Sequence, residues 1–303
     1  MDESIRKYMK VGLVHFMAYP NTINGEGPIL ETLKKVALDE YFEVVEVTWI
    51  KDKEVRNKAK KIIETSHMEL TYAGMPRLLI TKQNINSLNE QERLQALSNL
   101  KEGIDEAYEL GALDFAFLSG QYLEELKEDT YQVLVKSTKE LCAYAKSKGT
   151  MKVALEVFDY DIDKCSLIGP VELAKRYAEE ICQEYDNFGL MVDLSHLPQL
   201  RETAEESLIP VQEYIIHAHM GNTVVKDKAC SAYGDTHPRF GFPGSENDVE
   251  QLVAYLRVLL SIGFLNKENR PIVSLEVKPF GDDDPDLIVA NAKRVLNLAW
   301  DKV

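Results

Sequence analysis

No CxxC occurs among the four cysteines, Cys142, Cys165, Cys182 and Cys230, and their spacing fits no disulfide framework. They read as reduced thiols, mostly core fillers, in a reducing compartment. No apolar run approaches the length of a membrane span. The first one, KVGLVHFM, is short and interrupted by His15, and no small-residue cleavage site follows it. It reads as a first strand rather than a signal peptide, so the expected compartment is the cytoplasm. No GxGxxG follows that strand and no GxxxxGKS or GxxxxGKT occurs anywhere, which removes the usual dinucleotide and triphosphate fingerprints. Positive charge is scarce: 35 Lys and Arg stand against 50 Asp and Glu, for a net charge of −15. That balance disfavours non-specific contact with nucleic acid or anionic lipid, whose binding needs basic patches. Repeats and low-complexity segments are also missing.

What is present is an ordinary globular composition, 45% hydrophobic and 28% charged. Short apolar runs alternate with longer amphipathic ones. Strands are expected at 10–17, 42–49, 68–74, 113–120, 151–158, 188–194, 213–221 and 271–277. Helices are expected at 28–38, 51–66, 90–110, 129–148, 170–185, 203–208, 248–262 and 285–300. A polar loop should follow strand three and a long loop strand seven. About eight βα units without a linker favour an α/β fold, a closed (β/α)8 TIM barrel in one domain over residues 1–303, rather than an open sheet.

Barrels of this type place function at the C-terminal ends of their strands. Strand five offers Glu156 in VALEVFD, strand six Asp193 and His196 in VDLSHLP, strand seven His217 and His219 in IIHAHMGN, and strand eight Glu276 in VSLEVKPF. Side chains alternate along a strand, so a Glu between Leu155 and Val157 points into the barrel, as does Glu276 between Leu275 and Val277. Taken singly, each such Glu is a cap or an ion-pair partner, and one histidine of HAH belongs to the core or supports the other. Taken together, three inward carboxylates and an imidazole repel and desolvate one another unless a divalent cation joins them. The mixed donors suit Mn, Mg, Co or Zn, and no organic cofactor is expected. Lys278 shares the face of Glu276 and is a candidate to bind a substrate hydroxyl. His15 ends strand one and reads as a satisfied histidine rather than a site residue, while Phe16 and Trp49 near strand ends read equally as an apolar wall of the site or as ordinary packing. GDDDPD, at 281–286, reads as a solvated loop and helix cap.

LEVFD, VDLSHLP, HAHMGN, HPRFGFPG and SLEVKP, in this order, resemble the xylose isomerase-like TIM barrels. That superfamily includes sugar isomerases, ketose 3-epimerases, inosose dehydratases and endonuclease-four-type apurinic endonucleases. The local match is to the ketose 3-epimerases. By that resemblance Glu156, Asp193, His219 and Glu276 are the metal ligands, and His196 and Arg239 contact substrate. The family's second carboxylate after the first Glu has no clear counterpart, Asp161 and Asp163 being the residues nearby. The endonuclease branch has a D-x-H after strand seven, and GDTHP supplies Asp235 and His237, which either form a candidate second metal set with His196 or simply order the loop around Pro238. That branch also needs histidines after strands three and four, where TYAGMPR and FLSGQY have none.

The resulting expectation is a divalent-metal-dependent isomerase or epimerase of a small sugar or polyol, with Glu156 and Glu276 moving the proton. A metal-dependent hydrolase or lyase, endonuclease-like or inosose dehydratase-like, is the rival, and a non-catalytic sugar-binding barrel is another. Nucleic-acid and membrane partners are not expected. Homo-oligomers are common among such barrels, but no residue pattern fixes that state here.

Overall fold

The apolar runs become strands because both of their faces are covered, one by the barrel interior and one by helices, which suits their Val, Ile and Leu content. The computed structural model describes residues 3–303. The strands are β1 (Lys10–Val14), β2 (Val44–Val47), β3 (Glu69–Ala73), β4 (Asp114–Leu118), β5 (Lys152–Glu156), β6 (Phe188–Asp193), β7 (Ile215–Gly221) and β8 (Ile272–Glu276). All pair in parallel with their sequence neighbours, and β8 returns to β1 with Lys10 beside Ile272. The sheet is thus a closed β1 to β8 barrel, the α/β architecture that the alternation of runs implies.

Helix ends follow local chemistry. Asn89 caps Glu90–Leu110 by accepting from the N–H groups of Gln91 and Glu92, and Gly111 ends that helix at φ 86°. Asp284 caps Pro285–Trp300, and Asp248 opens Val249–Ser261 with a capping box. The acidic run at 281–286 is therefore partly a helix start.

Three segments differ from expectation. β1 stops at Val14, and His15–Ala18 turn at once into a short helix. The expected polar loop after β3 holds a helix, Met75–Thr81, with Pro76 in its first turn. Its face is buried because Arg77 reaches inward to Glu106 at 2.7 Å, so a basic residue hides an inward-facing helix. His196–Leu200 form one more helical turn directly after β6. All four cysteines are free, Cys142 buried and the others half-buried. No helix among the described residues is long and apolar enough to cross a membrane.

The barrel interior is more polar than layers of branched aliphatics would make it. Glu46, Thr71, His217 and Ser274 are fully buried there, above a buried Asp114 at the start of β4.

Candidate metal centre

Four adjacent strands deliver one buried cluster. Glu156 ends β5, Asp193 ends β6, Glu276 ends β8, and His219 lies near the end of β7. The pairing of β6 with β7 shifts register between Leu190 and Met191, which sets Asp193 directly beside His219. One ligand-capable atom from each of the four lies within 4.8 Å of the others. His219 Nδ1 is 2.7 Å from Glu276 Oε2 and 3.5 Å from Glu156 Oε1. Asp193 is held by the residue two ahead: the Ser195 N–H donates to Oδ1 at 2.9 Å, and the Ser195 hydroxyl donates to Oδ2.

The electrostatics of this axial set are lopsided. Among the described residues, no Lys or Arg pairs with Glu156, Asp193 or Glu276; their charged neighbours are histidines. Burial raises the Glu156 carboxyl to about 7 despite His219 nearby. Against its own burial, Glu276 is brought below the ordinary carboxylate value by the imidazoles of His237 and His219. His219 is held well above the ordinary imidazole value, because the carboxylates of Glu46 and Glu276 outweigh its burial. His219 Nδ1 and Glu276 Oε2 are buried and make no hydrogen bond, although they face each other. Unsatisfied buried donors converging on one point fit a divalent cation.

A second set flanks the first. His196 donates from Nδ1 to the Val157 carbonyl at 2.7 Å and turns Nε2 to Asp235 Oδ1 at 2.9 Å. His237 Nε2 lies 3.0 Å from that same oxygen, and Lys164 Nζ lies 3.0 Å from Asp235 Oδ2. Asp193 joins the two sets, with Oδ2 3.8 Å from His196 Nε2 and 3.6 Å from His237 Nδ1. Atoms of Asp193, His196 and His237 again lie within 4.8 Å of one another. Against burial, Asp235 pulls His196 up to about 10; Glu276 and Asp235 pull His237 up to about 9.

Backbone geometry makes room for this flank. His237 sits at φ 54°, a left-handed conformation that side-chain-bearing residues rarely adopt. A Cβ on Gly221 would come within 2.8 Å of His237 Nδ1 and 3.2 Å of Asp193 Oδ1, so only glycine lets β7 end here. Asp159 ties the loop after β5. Its Oδ2 accepts from the N–H groups of Ile162 (2.7 Å), Asp163 (2.8 Å) and Cys165 (3.2 Å), and its Oδ1 from that of Lys164 (2.8 Å). The knot aims Lys164 at Asp235.

The structure thus brings together Glu156, Asp193, His219 and Glu276, and beside them His196, Asp235 and His237. It leaves other expected residues apart. Arg239 donates to its own loop, to the carbonyls of Phe240 (3.2 Å) and Gly241 (3.0 Å). Half-buried Lys278 has its ammonium over Phe280 at 5.6 Å. Asp161 pairs with Arg201 and Asp163 with Lys164, so neither joins the axial set. His15 is satisfied by Thr32 Oγ1 at 2.8 Å, and Trp49 donates to the Ile23 carbonyl.

Three contributors were not foreseen from the sequence: Glu46, Lys164 and Asp114. Glu46 Oε2 lies 3.0 Å from His219 Nε2, on the side away from the cluster. Its signal was present, since VVEV frames Glu46 between valines just as ALEV frames Glu156. A cavity of about 350 Å3 lies at the same end of the barrel, bounded by Leu78, Asn84, Leu118, Gln121 and Lys164.

A sequence model described as xylose isomerase-like TIM barrel matches residues 37–297. The chain belongs to that family. Compared by sequence with curated proteins, this member of the family matches none. Its fold is similar to that of an L-ribulose 3-epimerase, at a TM-score of 0.74 and 15% identity over 97% of this chain and 95% of the other. It is similar to a D-psicose 3-epimerase from Clostridium cellulolyticum H10 solved with D-tagatose, at 0.71 and 16% over 96% and 98%. A 3-keto-D-glucoside 4-epimerase from E. coli gives 0.67 and 16% over 95% and 99%. At these identities the likeness is one of fold.

Proposed function

We propose that the chain is a divalent-cation-dependent isomerase or epimerase of a small sugar or polyol. The observation that carries this reading is the axial set: three buried carboxylates and one imidazole from four adjacent strands, with no Lys or Arg among the described residues to balance them. Glu156, Asp193, His219 and Glu276 would hold the cation. The family's sugar epimerases of like fold support the substrate class.

A cation bound there supplies Lewis acidity to a substrate carbonyl and fixes adjacent oxygens. The rest belongs to the chain. Glu276, kept ionised by His237 and His219, is suited to take the proton from the carbon beside the carbonyl. Glu156, whose carboxyl burial raises to about 7, is suited to carry and return one. The two reach His219 Nδ1 from different strands, β8 and β5; on this reading they flank the substrate carbon, and return of the proton to the opposite face is epimerisation. His237 turns its unpartnered Nδ1 toward the ligand cluster, where it would meet a substrate hydroxyl, and His196, held by Val157 and Asp235, would form the wall beside it. Arg239 and Lys278 stand apart from this cluster and take no part in the proton transfer.

The testing experiment is elemental mass spectrometry after repletion with Mn, Mg, Co and Zn, followed by a ketose and polyol screen in deuterated water. About one ion per chain, with deuterium entering substrate beside the carbonyl, is the expected result. No bound ion under any condition sinks the reading.

One observation favours a second reading. The donors of Asp193, His196 and His237 also cluster within 4.8 Å, as a second ion of a metal-dependent hydrolase would need. Two tightly held zinc ions and cleavage of an abasic duplex would decide for it. A chain that binds sugar without turnover and ignores chelators would instead be a binding barrel.

A further inference from the structure

Beneath the axial set runs a buried polar column that the chemistry above does not use. His217 Nδ1 lies 3.1 Å from Asp114 Oδ2, and its Nε2 lies 3.3 Å from Ser274 Oγ and 3.5 Å from Glu46 Oε2. Thr71 Oγ1 donates to Glu46 Oε2 at 3.3 Å, and His219 Nε2 meets that oxygen at 3.0 Å. Every member is buried, and Glu46 Oε1 has no hydrogen-bond partner. A column of this kind is an expensive way to fill a barrel, because well-packed apolar side chains of similar size serve stability as well or better.

We propose that Glu46 is a positioning residue that selects the tautomer of His219. This rests on the reading of His219 as a metal ligand. To ligate a cation the imidazole must give up one of its two protons, and the remaining proton has two candidate sites. Nδ1 faces the carboxylates of Glu276 and Glu156, and Nε2 faces Glu46. Two carboxylates therefore compete for that proton from above and one from below. Only the lower position leaves the Nδ1 lone pair free for a cation. Glu46 fixes the proton on Nε2, where it donates downward. Without an acceptor there, the proton moves to Nδ1, bonds Glu276 and blocks the ligand atom. Thr71 and His217 hold the Glu46 carboxylate in place, and Asp114 and Ser274 hold His217.

The test uses the full chain and cobalt(II) as both ligand and reporter. Affinity is taken from titration and coordination from the visible spectrum, while thermal unfolding of the metal-free protein follows the fold. Glu46→Leu is expected to fold as stably as the parent yet bind cobalt roughly 100-fold more weakly, with an altered spectrum. Glu46→Gln keeps an amide oxygen that can accept from Nε2, so it restores the parental spectrum and loses only about 10-fold. It is also the variant to read if Glu46→Leu does not fold. Parental affinity and spectrum in both variants would overturn the role of Glu46 and leave the metal site standing. A parent that takes up no cobalt, or a His219→Ala variant that takes it up as the parent does, would overturn the site and the inference together.

Discussion

The axial and flanking sets are built from the same residue types, yet their charges add up differently. Glu156, Asp193 and Glu276 surround a single imidazole, with a fourth carboxylate, Glu46, behind it. Asp235, by contrast, stands among two imidazoles and the ammonium of Lys164. The axial set is short of positive charge and the flank is not. Buried charge is tolerated only when compensated, so the first set calls for a cation and the second already contains its own. The difference separates the two roles proposed here: one set to hold an ion, the other to hold and polarise what the ion binds.

The largest effect should come from disturbing the axial set. Asp193→Asn or Glu276→Gln is expected to release the ion and lower turnover on the order of 10³-fold, equivalent to about 4 kcal/mol. Exhaustive chelation should match that loss, and repletion should restore only the parent. Variants that keep both ion and rate would erase the distinction between the two sets.

Next comes Lys164→Met, which leaves Asp235 buried beside two histidines without the ammonium. Breaking a buried pair in this way is expected to cost roughly 3 kcal/mol of unfolding free energy. It should also turn the flank into a cation seeker, so that elemental analysis at excess zinc rises above the parental stoichiometry. An unchanged stoichiometry would mean that charge balance is not what keeps a second ion out.

His15 supplies an internal control of opposite sign. It is a lone buried imidazole, and burial lowers it to about 4, whereas Asp235 raises His196 to about 10. The contribution of His15 is fully present above its unfolded value near 6.5 and is lost as pH falls through 4, a change of up to about 3 kcal/mol. That of His196 is fully present below 6.5 and is lost as pH rises through 10. Urea unfolding across pH should show a His15→Asn variant with a shallower acid limb and an unchanged alkaline one. A parallel shift of both limbs would refute the assignment.

The smallest effect is expected at Arg239. Its guanidinium is spent on the carbonyls of Phe240 and Gly241. Arg239→Ala should lower kcat/KM less than about 10-fold, or near 1 kcal/mol. A loss comparable to that of Asp193→Asn would show the loop swinging inward when substrate binds.

Much of this arrangement was legible from the order of residues. Periodicity exposed the strands because a parallel barrel buries both faces of each, alternation then aimed Glu156 and Glu276 inward, and the family resemblance chose His219 over His217. Glu46 carries the same local frame as Glu156, but its partner lies 173 positions away on β7, and nothing in the local pattern names that pairing. The helix at Met75–Thr81 was hidden for another reason. Its basic Arg77 reads as solvated until Glu106 is seen to receive it. The role of Lys164 depends on the fold of a loop that a single Asp organises, and no spacing rule captures that.

That Asp159 knot has a consequence for motion. Loop amides ordinarily exchange with solvent deuterium within moments, because water competes for them at every fluctuation. Here the amides of Ile162, Asp163, Lys164 and Cys165 all point at one buried carboxylate. They should exchange together and slowly, as a strand does, and one neutralising change, Asp159→Asn, should release all four at once. The segment that aims a lysine at the flank would then behave as a small cooperative unit of its own.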